Sequence, residues 1–489
     1  LKESLQTYIA GTWVVGKGPE RVLRNPATGE VITKVLESSH EQVDFAVRSA
    51  KNAFLRSEWA HDVSTRVHVL RRMAELLEIS ADEFARLETK NTGKPLRESQ
   101  LDVADSITCL RYYADFIESK QPWTKEMFDG TNSTITEEPI GVCALIVPWN
   151  FPLLLGIWKL APALAAGNTV VLKPSELTPL TMLKLGVLAD ESGIPGGVFN
   201  IVLGDGAVGQ ALVSHPDVDK VSFTGGTESG TRVYMECAKS LKRVSLELGG
   251  KSPLIVFDDV DVDIAVDLAL FGAFYNQGQV CVASSRLLVQ ESIYEPFLER
   301  LAQRMADVHI GNPLNEETEL GPLISEQHLD KVLNYIHIGI EEGATLFCGG
   351  ERLLALGELY VSPAVFINVR QDMRIVQEEI FGPVVTVQSF SSEEEAVDLA
   401  NGTVYGLAAG VLSADIHRAE RVAKNIRAGT VWINGYHTPH VDTAWGGFKR
   451  SGIGRELGIY GLAAFSEVKH TNLNRTVAKV GWFRDTQRV

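Results

Sequence analysis

Residues 142–176 read VCALIVPWNFPLLLGIWKLAPALAAGNTVVLKPSE. The portion from 142 to 167 is long and apolar enough to span a bilayer. It also holds Pro148, Asn150, Pro152, Lys159 and Pro162. Three prolines would interrupt a spanning helix, and the Lys would carry charge into lipid. The stretch instead predicts a buried strand over 142–147, a special turn, a buried helix, and a second strand over 169–173.

The same rhythm continues outward. Strands are expected at 198–203, 218–223, 243–248 and 254–257. Most are β-branched runs without alternation, as in strands covered on both faces. A helix begins at Pro179, a favoured first helical position, and ends at Gly193 with Pro195 beyond. Alternating strands and helices give a parallel, doubly wound sheet. A second α/β series runs from about 284 to 434, with strands at 286–290, 364–367, 384–389, 407–412 and 430–434. The N-terminal third is largely helical. Capping-box signatures at Ser39 with Gln42 and at Ser80 with Glu83 open two of its helices. One short strand is expected near Tyr8 to Val14. Segments 133–140 and 465–473 look like strands outside both series.

Composition narrows the function. The chain has 489 residues, with 62 acidic against 46 basic side chains and a net charge of −16. That balance disfavours nucleic acid and anionic membrane surfaces. Five cysteines are too few and too irregular for a disulfide framework and suit a reducing compartment. The opening LKESLQTYIAGTW lacks a basic region followed by an apolar one. No signal peptide is read there, and a cytoplasmic location is expected.

Three motifs carry chemistry. Asn276-Gln277-Gly278-Gln279-Val280-Cys281 puts a cysteine after a polar, Gly-bearing turn, where a thiolate can be presented. Cys109, Cys143, Cys237 and Cys348 read as small buried hydrophobes. Glu247, in Leu246-Glu247-Leu248-Gly249-Gly250-Lys251, is a carboxylate at an apolar strand end: either a structural partner or a raised-pKa base. Asn150, in Pro148-Trp149-Asn150-Phe151-Pro152, can donate to a developing oxyanion. Gly249-Gly250-Lys251-Ser252 mimics the end of a P-loop, but Ser245 stands where its first Gly is required. Gly204-Asp205-Gly206-Ala207-Val208-Gly209 fits the dinucleotide pattern after a strand; a tight strand-to-helix turn and a dinucleotide contact at Gly206 and Gly209 both remain open. No metal-ligand spacing occurs, so no metal site is assigned.

These blocks, with Lys173-Pro174-Ser175-Glu176, Phe223-Thr224-Gly225 through Gly230, and Glu378-Glu379-Ile380-Phe381-Gly382-Pro383, resemble the NAD(P)-dependent aldehyde dehydrogenases in order and spacing over nearly the whole chain. The resemblance implies an α/β fold: a Rossmann-like cofactor domain (1–121 and 142–249), a catalytic domain (250–450) and a small β oligomerisation element (122–141 and 465–489). It implies a homodimer or homotetramer.

It also implies roles. Cys281 is the nucleophile, Glu247 the general base, and Asn150 with the Cys281 N–H the oxyanion hole. Thiolate attack on an aldehyde gives a thiohemiacetal that expels hydride to NAD, leaving a thioester that water hydrolyses to the acid. Lys159 and Glu456 match a proton relay. Lys173 and Glu176 resemble the pair on the adenosine ribose, with Glu176 favouring NAD over NADP. Phe223, Gly225, Gly226 and Gly230 resemble the turn beside the phosphates; Gly226 stands where many relatives have Ser. Glu379 and Phe381 resemble the residues at the nicotinamide and its ribose. Ile146, Pro148, Trp149 and Leu248 are expected in the same cleft.

Phe151, Trp158, Tyr275 and Trp445 map onto the substrate tunnel. An aromatic box holds a quaternary ammonium by cation–π attraction. Such a box, with Thr443 to Lys449 and Ile453 to Gly458, resembles the betaine aldehyde dehydrogenase branch. The substrate is then betaine aldehyde or another aminoaldehyde, against a general aliphatic or aromatic aldehyde or a semialdehyde. Phe151 where that branch often has Tyr, and His437 to Asp442, depart from it. A CoA-acylating enzyme typically lacks the base, and a non-catalytic protein on this fold would have little reason to keep Cys281, Glu247 and Asn150 together.

Overall fold

The computed structural model describes residues 6–483; the first five residues and the last six of the tail assigned to the oligomerisation element lie outside it. Two sheets organise the chain. The first has eight strands, in the order Thr12–Val14, Thr7–Ile9, Phe199–Ile201, Thr169–Lys173, Val142–Ile146, Lys220–Thr224, Arg243–Glu247 and Gly452–Ile453. Its five central strands run parallel. Every residue of Val142–Ile146, Thr169–Lys173 and Lys220–Thr224 is buried, which explains their unalternating sequence.

The chain leaves Val142–Ile146, lays down two neighbours on one side, then crosses back to place Lys220–Thr224 on the other. The strand order thus reverses between Ile146 and Phe223, which are direct partners. Ligands bind at such a switch point, beyond the carboxyl ends of the strands.

The second sheet has seven strands, from Thr345–Cys348 through Ala364–Ile367, Val384–Phe390, Arg286–Gln290, Pro253–Val256 and Ala408–Leu412 to Thr430–Ile433. All pair in parallel except the first. A three-stranded antiparallel sheet joins Trp123–Glu126, Asn132–Pro139 and Ser466–Leu473.

The segment that resembles a membrane span is the strand Val142–Ile146, a turn, and the helix Pro152–Ala165, whose every residue is buried. Among the described residues no helix is long and apolar enough to cross a membrane.

Several expectations need correction. Tyr8 to Val14 is not one strand but a hairpin, turning at Ala10 and Gly11, which both have positive φ. Ser39 forms its capping box with Gln42. Ser80 does not: it closes the preceding helix, and its hydroxyl donates to the Leu76 carbonyl at 2.6 Å, so it is unavailable as a cap. The hairpin Glu20–Arg24 with Val31–Leu36 was not expected, because charged residues interrupt its apolar pattern.

Candidate active site

Cys281 follows a backbone turn that ordinary residues avoid. Asn276 (φ 47°, ψ 41°) and Gln277 (φ 57°, ψ 30°) are both left-handed, and Gly278 continues at φ 69°. The turn ends the helix Val262–Phe274 abruptly and leaves Cys281 partly exposed. The two glycines after Glu247 are there for space. A Cβ on Gly250 would sit 2.3 Å from the Cys281 carbonyl oxygen, and one on Gly249 would sit 2.3 Å from a Glu379 carboxylate oxygen. The Glu247 strand end and the cysteine turn can therefore meet backbone to backbone.

Asn150 is buried and tied to the same turn in both directions. Its Nδ2 donates to the Gln279 carbonyl at 2.9 Å, and its own carbonyl accepts from Asn276 Nδ2 at 3.2 Å. An amide has two N–H groups; with one spent on Gln279, the other can serve an oxyanion.

Charge sets the proton chemistry. Burial, then the Glu247 and Glu379 carboxylates, push the Cys281 thiol up. Burial and the Glu456 carboxylate hold the Glu247 carboxyl well above the usual range, with Lys159 and Arg455 opposing. Glu247 Oε2 has no hydrogen-bond partner. A raised carboxylate with an unfilled oxygen can accept a proton from a thiol or a water. Lys159 on the helix Pro152–Ala165 donates to Glu456, which also accepts from Ser222 at 3.5 Å. Glu456 pairs through its backbone with Trp445, N to O at 2.7 and 2.8 Å, so the partner of Lys159 and one of the four aromatics share a support.

A cleft of about 210 Å³ opens at the switch point. Pro148, Trp149, Asn150, Gly225, Gly226, Leu248, Cys281, Glu379 and Phe381 all line it. Glu379 accepts from the Gly250 N–H at 3.0 Å, and the Trp149 and Phe381 rings meet edge-on at 5.3 Å. At its far end the helix Thr227–Ala238 begins with no side-chain cap, and a Cβ on Gly226 would meet nothing within 4 Å. The Thr224 hydroxyl beside it is buried without a partner. An uncapped helix start in an open cradle suits a pyrophosphate, so the residues present fit a dinucleotide. Phe223 and Ile146 close the strand ends beneath, and Gly230 packs against Leu248.

Farther out, Lys173 Nζ lies 3.8 Å from the Glu176 carboxylate, while a Cβ on Gly209 would sit 3.6 Å from the Lys173 stem. The Gly204–Gly209 turn is thus brought beside that pair, although Asp205 already caps its helix by accepting from the Ala207 N–H.

Phe151, Trp158 and Trp445 belong to one apolar cluster, against which Tyr275 and Cys281 pack. They form two pairs: Phe151 with Tyr275 at 6.3 Å and nearly parallel, and Trp158 with Trp445 edge-on at 5.4 Å. Of three neighbours, Lys94 and Trp432 had no assigned part in the sequence reading, and His437 opens the segment read as departing from the betaine aldehyde dehydrogenase branch. Lys94 Nζ sits 3.8 Å from the Phe151 ring centroid, His437 packs on Tyr275 at 4.9 Å, and Trp432 lies 6.3 Å from Trp445. His328 and Lys331 in the cleft were also missed. Burial pushes His328 down to about 4, and its Nε2 meets the Phe381 carbonyl at 2.6 Å. Both lie on the amphipathic helix Glu326–Glu341, where they read as surface polar residues.

The model of the aldehyde dehydrogenase family matches residues 13–471. The chain belongs to that family. Similar proteins include a Bacillus subtilis betaine aldehyde dehydrogenase, 47% identical over 97% of this chain and 99% of that protein. A peroxisomal aminoaldehyde dehydrogenase of Pisum sativum is 44% identical over 99% of both. The crystal structure of a Staphylococcus aureus betaine aldehyde dehydrogenase in complex with NAD+ superposes with a TM-score of 0.96 at 43% identity, covering 98% of this chain and 96% of that one. The family's fold, a mixed α/β architecture, is the one described above.

Proposed function

We propose that this aldehyde dehydrogenase oxidises betaine aldehyde or a related cationic aminoaldehyde to its acid with NAD+. The observation that carries the substrate class is the Trp158–Trp445 pair, in the same apolar cluster as Cys281. Lys94 already covers Phe151, which leaves the rings of Tyr275, Trp158 and Trp445 for a ligand's cation. The named relatives act on substrates of this class.

In this reading Cys281 attacks the aldehyde carbon. The free Asn150 N–H and the Cys281 N–H hold the oxyanion, and Glu247 takes the thiol proton and later activates water. NAD+, when bound, supplies the hydride acceptor. The first sheet, the Gly226 helix start, Glu379, Phe381 and the Lys173–Glu176 pair hold it, and the Glu176 carboxylate disfavours a 2′-phosphate. Lys159 and Glu456 pass protons to and from Glu247. The second sheet carries the cysteine. The sheet of Trp123–Glu126, Asn132–Pro139 and Ser466–Leu473 exposes Trp123, Ile135, Val468 and Leu473 and serves dimer or tetramer assembly. Five unpaired thiols fit a cytoplasmic enzyme.

The test is Trp445→Ala. A desolvated cation–π contact is worth about 2 kcal/mol, so KM for betaine aldehyde should rise on the order of thirtyfold. The kcat should fall less, and a neutral aldehyde of similar size should lose much less kcat/KM. Equal losses for both aldehydes would make Trp445 an apolar wall and remove the cationic assignment.

A further inference from the structure

Two successive left-handed residues, Asn276 and Gln277, are unfavourable in isolation and persist only where the surroundings over-determine them. Most of the contacts that hold this turn come from side-chain amides. Gln277 Nε2 reaches the Gly93 and Pro322 carbonyls at 3.4 and 3.3 Å, and Gln279 Oε1 accepts from the Ile324 N–H at 3.1 Å. One contact differs in kind. Both carboxyl oxygens of Glu98 accept from the Asn276 backbone N–H, at 3.0 and 3.3 Å.

Glu98 is 3% exposed and stands in the first turn of the helix Leu96–Ser119. Burial pushes its carboxyl up to about 8. A carboxyl buried at that expense is kept in place by what it grips. Its grip is on the first left-handed residue, five positions before Cys281. The same residue's side chain bonds the Asn150 carbonyl, and the Asn150 amide bonds Gln279. A shift of Asn276 would therefore move the nucleophile and the oxyanion donor together.

We propose that Glu98 is a positioning residue for aldehyde oxidation: by gripping the Asn276 N–H it fixes the turn that aims Cys281 and the Asn150 amide at one point. The proposal rests on the roles given above to Cys281 and Asn150. Its chemistry needs an acceptor oxygen at glutamate's reach, not a negative charge, because the donor is a single neutral N–H.

The experiment compares Glu98→Gln, Glu98→Asp and Glu98→Ala in the full chain. It uses any aldehyde the native enzyme turns over, so the substrate assignment does not enter. Rates are expressed per NAD-binding site found by titration, which removes misfolded protein from the count. Glu98→Gln keeps the acceptor and should stay within about threefold of native kcat. Glu98→Asp is one methylene short and should lose about 10- to 100-fold in kcat, as a misplacement near 1 Å does. Its NAD affinity and aldehyde KM should stay within about twofold, and carbamidomethylation of Cys281 by iodoacetamide should change in rate. Glu98→Ala should lose at least as much; if it is insoluble, the Asp–Gln contrast carries the test. Native kcat per site in Glu98→Asp, or a Glu98→Gln loss equal to that of Glu98→Asp, would overturn the proposal. So would a Glu98→Asp loss spread evenly over NAD binding and kcat, which marks general loosening. Cys281→Ala in the same assay should form no NADH. If it did, the reading beneath would fall, and this one with it, whatever the Glu98 series gave.

Discussion

Around Lys159 stand Glu456 and Glu247; around Lys94 stand Asp102, Glu98 and Glu88. Both groups place one buried ammonium among two or more buried carboxyls. Their hydrogen bonds separate them. Near Lys159, Glu247 Oε2 and Glu456 Oε2 have no partner. Near Lys94, Glu88 accepts from the Leu153 N–H at 3.2 Å and the Thr181 hydroxyl at 2.6 Å, Glu98 from the Asn276 N–H, and Asp102 from Lys94 at 2.5 Å. Unfilled oxygens leave room for a proton or a water to come and go. Filled ones pin backbone: Leu153 at the start of one helix, Asn276 at the turn before Cys281. On the reading proposed above, the same residue types make a proton-handling group in one place and a clamp in the other, and the difference lies in which lone pairs are already used.

The largest expected effect falls on the unfilled group. Glu247→Gln removes the base but keeps the shape, and kcat should drop by about 10²–10⁴-fold. If thioester hydrolysis is the step it serves, a burst of NADH near one equivalent per site should precede the slow phase. Native kcat would mean that Glu247 is as structural as Glu88, and the comparison would collapse.

A second variant sharpens the contrast by charge alone. The Glu247 carboxyl is held up first by burial and next by Glu456; Lys159 and Arg455 pull it down, and the Cys281 thiol faces it. A base works only when deprotonated, so kcat rises with pH through the Glu247 titration. Glu456→Gln removes the neighbouring negative charge and leaves Lys159 in place. The acidic limb of the kcat–pH profile should therefore move to lower pH, whatever happens to the plateau. A limb that stays put, or moves up, would show that Glu456 does not act on Glu247.

How much of this was readable before the fold? The parallel strands of both sheets were, because runs such as Val142–Ile146 and Thr169–Lys173 are rich in apolar residues and buried throughout. The cysteine turn was, because polar residues and a glycine interrupt an otherwise apolar region just before Cys281. The clamp was not. Glu98 and Asp102 look like ordinary surface charges one turn apart. Only the phase of their helix shows otherwise: Glu98, Asp102, Ser106 and Leu110 lie on one i+4 row, and all four are buried. That signal was available from Val103, Ile107 and Leu110, whose spacing fixes the inward face. His328 and Lys331 had no comparable signal, since which end of Glu326–Glu341 meets the cleft depends on how the second sheet packs. The edge strands Gly452–Ile453 and Phe448–Lys449 are two residues each and carry no pattern at all.

The smallest expected effect concerns stability and falls on the filled group. Burial holds the Glu88 carboxyl up to about 7, with Asp102 adding to the rise and Lys94 opposing it. An unfolded glutamate ionises near 4.5. Between those two points the folded chain keeps a proton that the unfolded chain gives up. Folding then binds protons, and by linkage stability falls as pH rises through that window and levels off above it. Glu88→Gln cannot ionise and so removes this slope. At pH 5 it should be less stable by about 1 kcal/mol, because one amide oxygen must replace two carboxyl oxygens in serving Leu153 and Thr181. Towards pH 8 the gap should narrow or reverse, since the native chain has by then borne the full cost of its buried acid. The measurement is the midpoint of thermal unfolding for both chains from pH 5 to 8, at one protein concentration. A gap that stays constant would mean that Glu88 is ionised in the fold as it is outside it. Its two bonds would then be those of a charged carboxylate near Lys94, and the Lys94 group would differ from the Lys159 group in its filled oxygens but not in its protons.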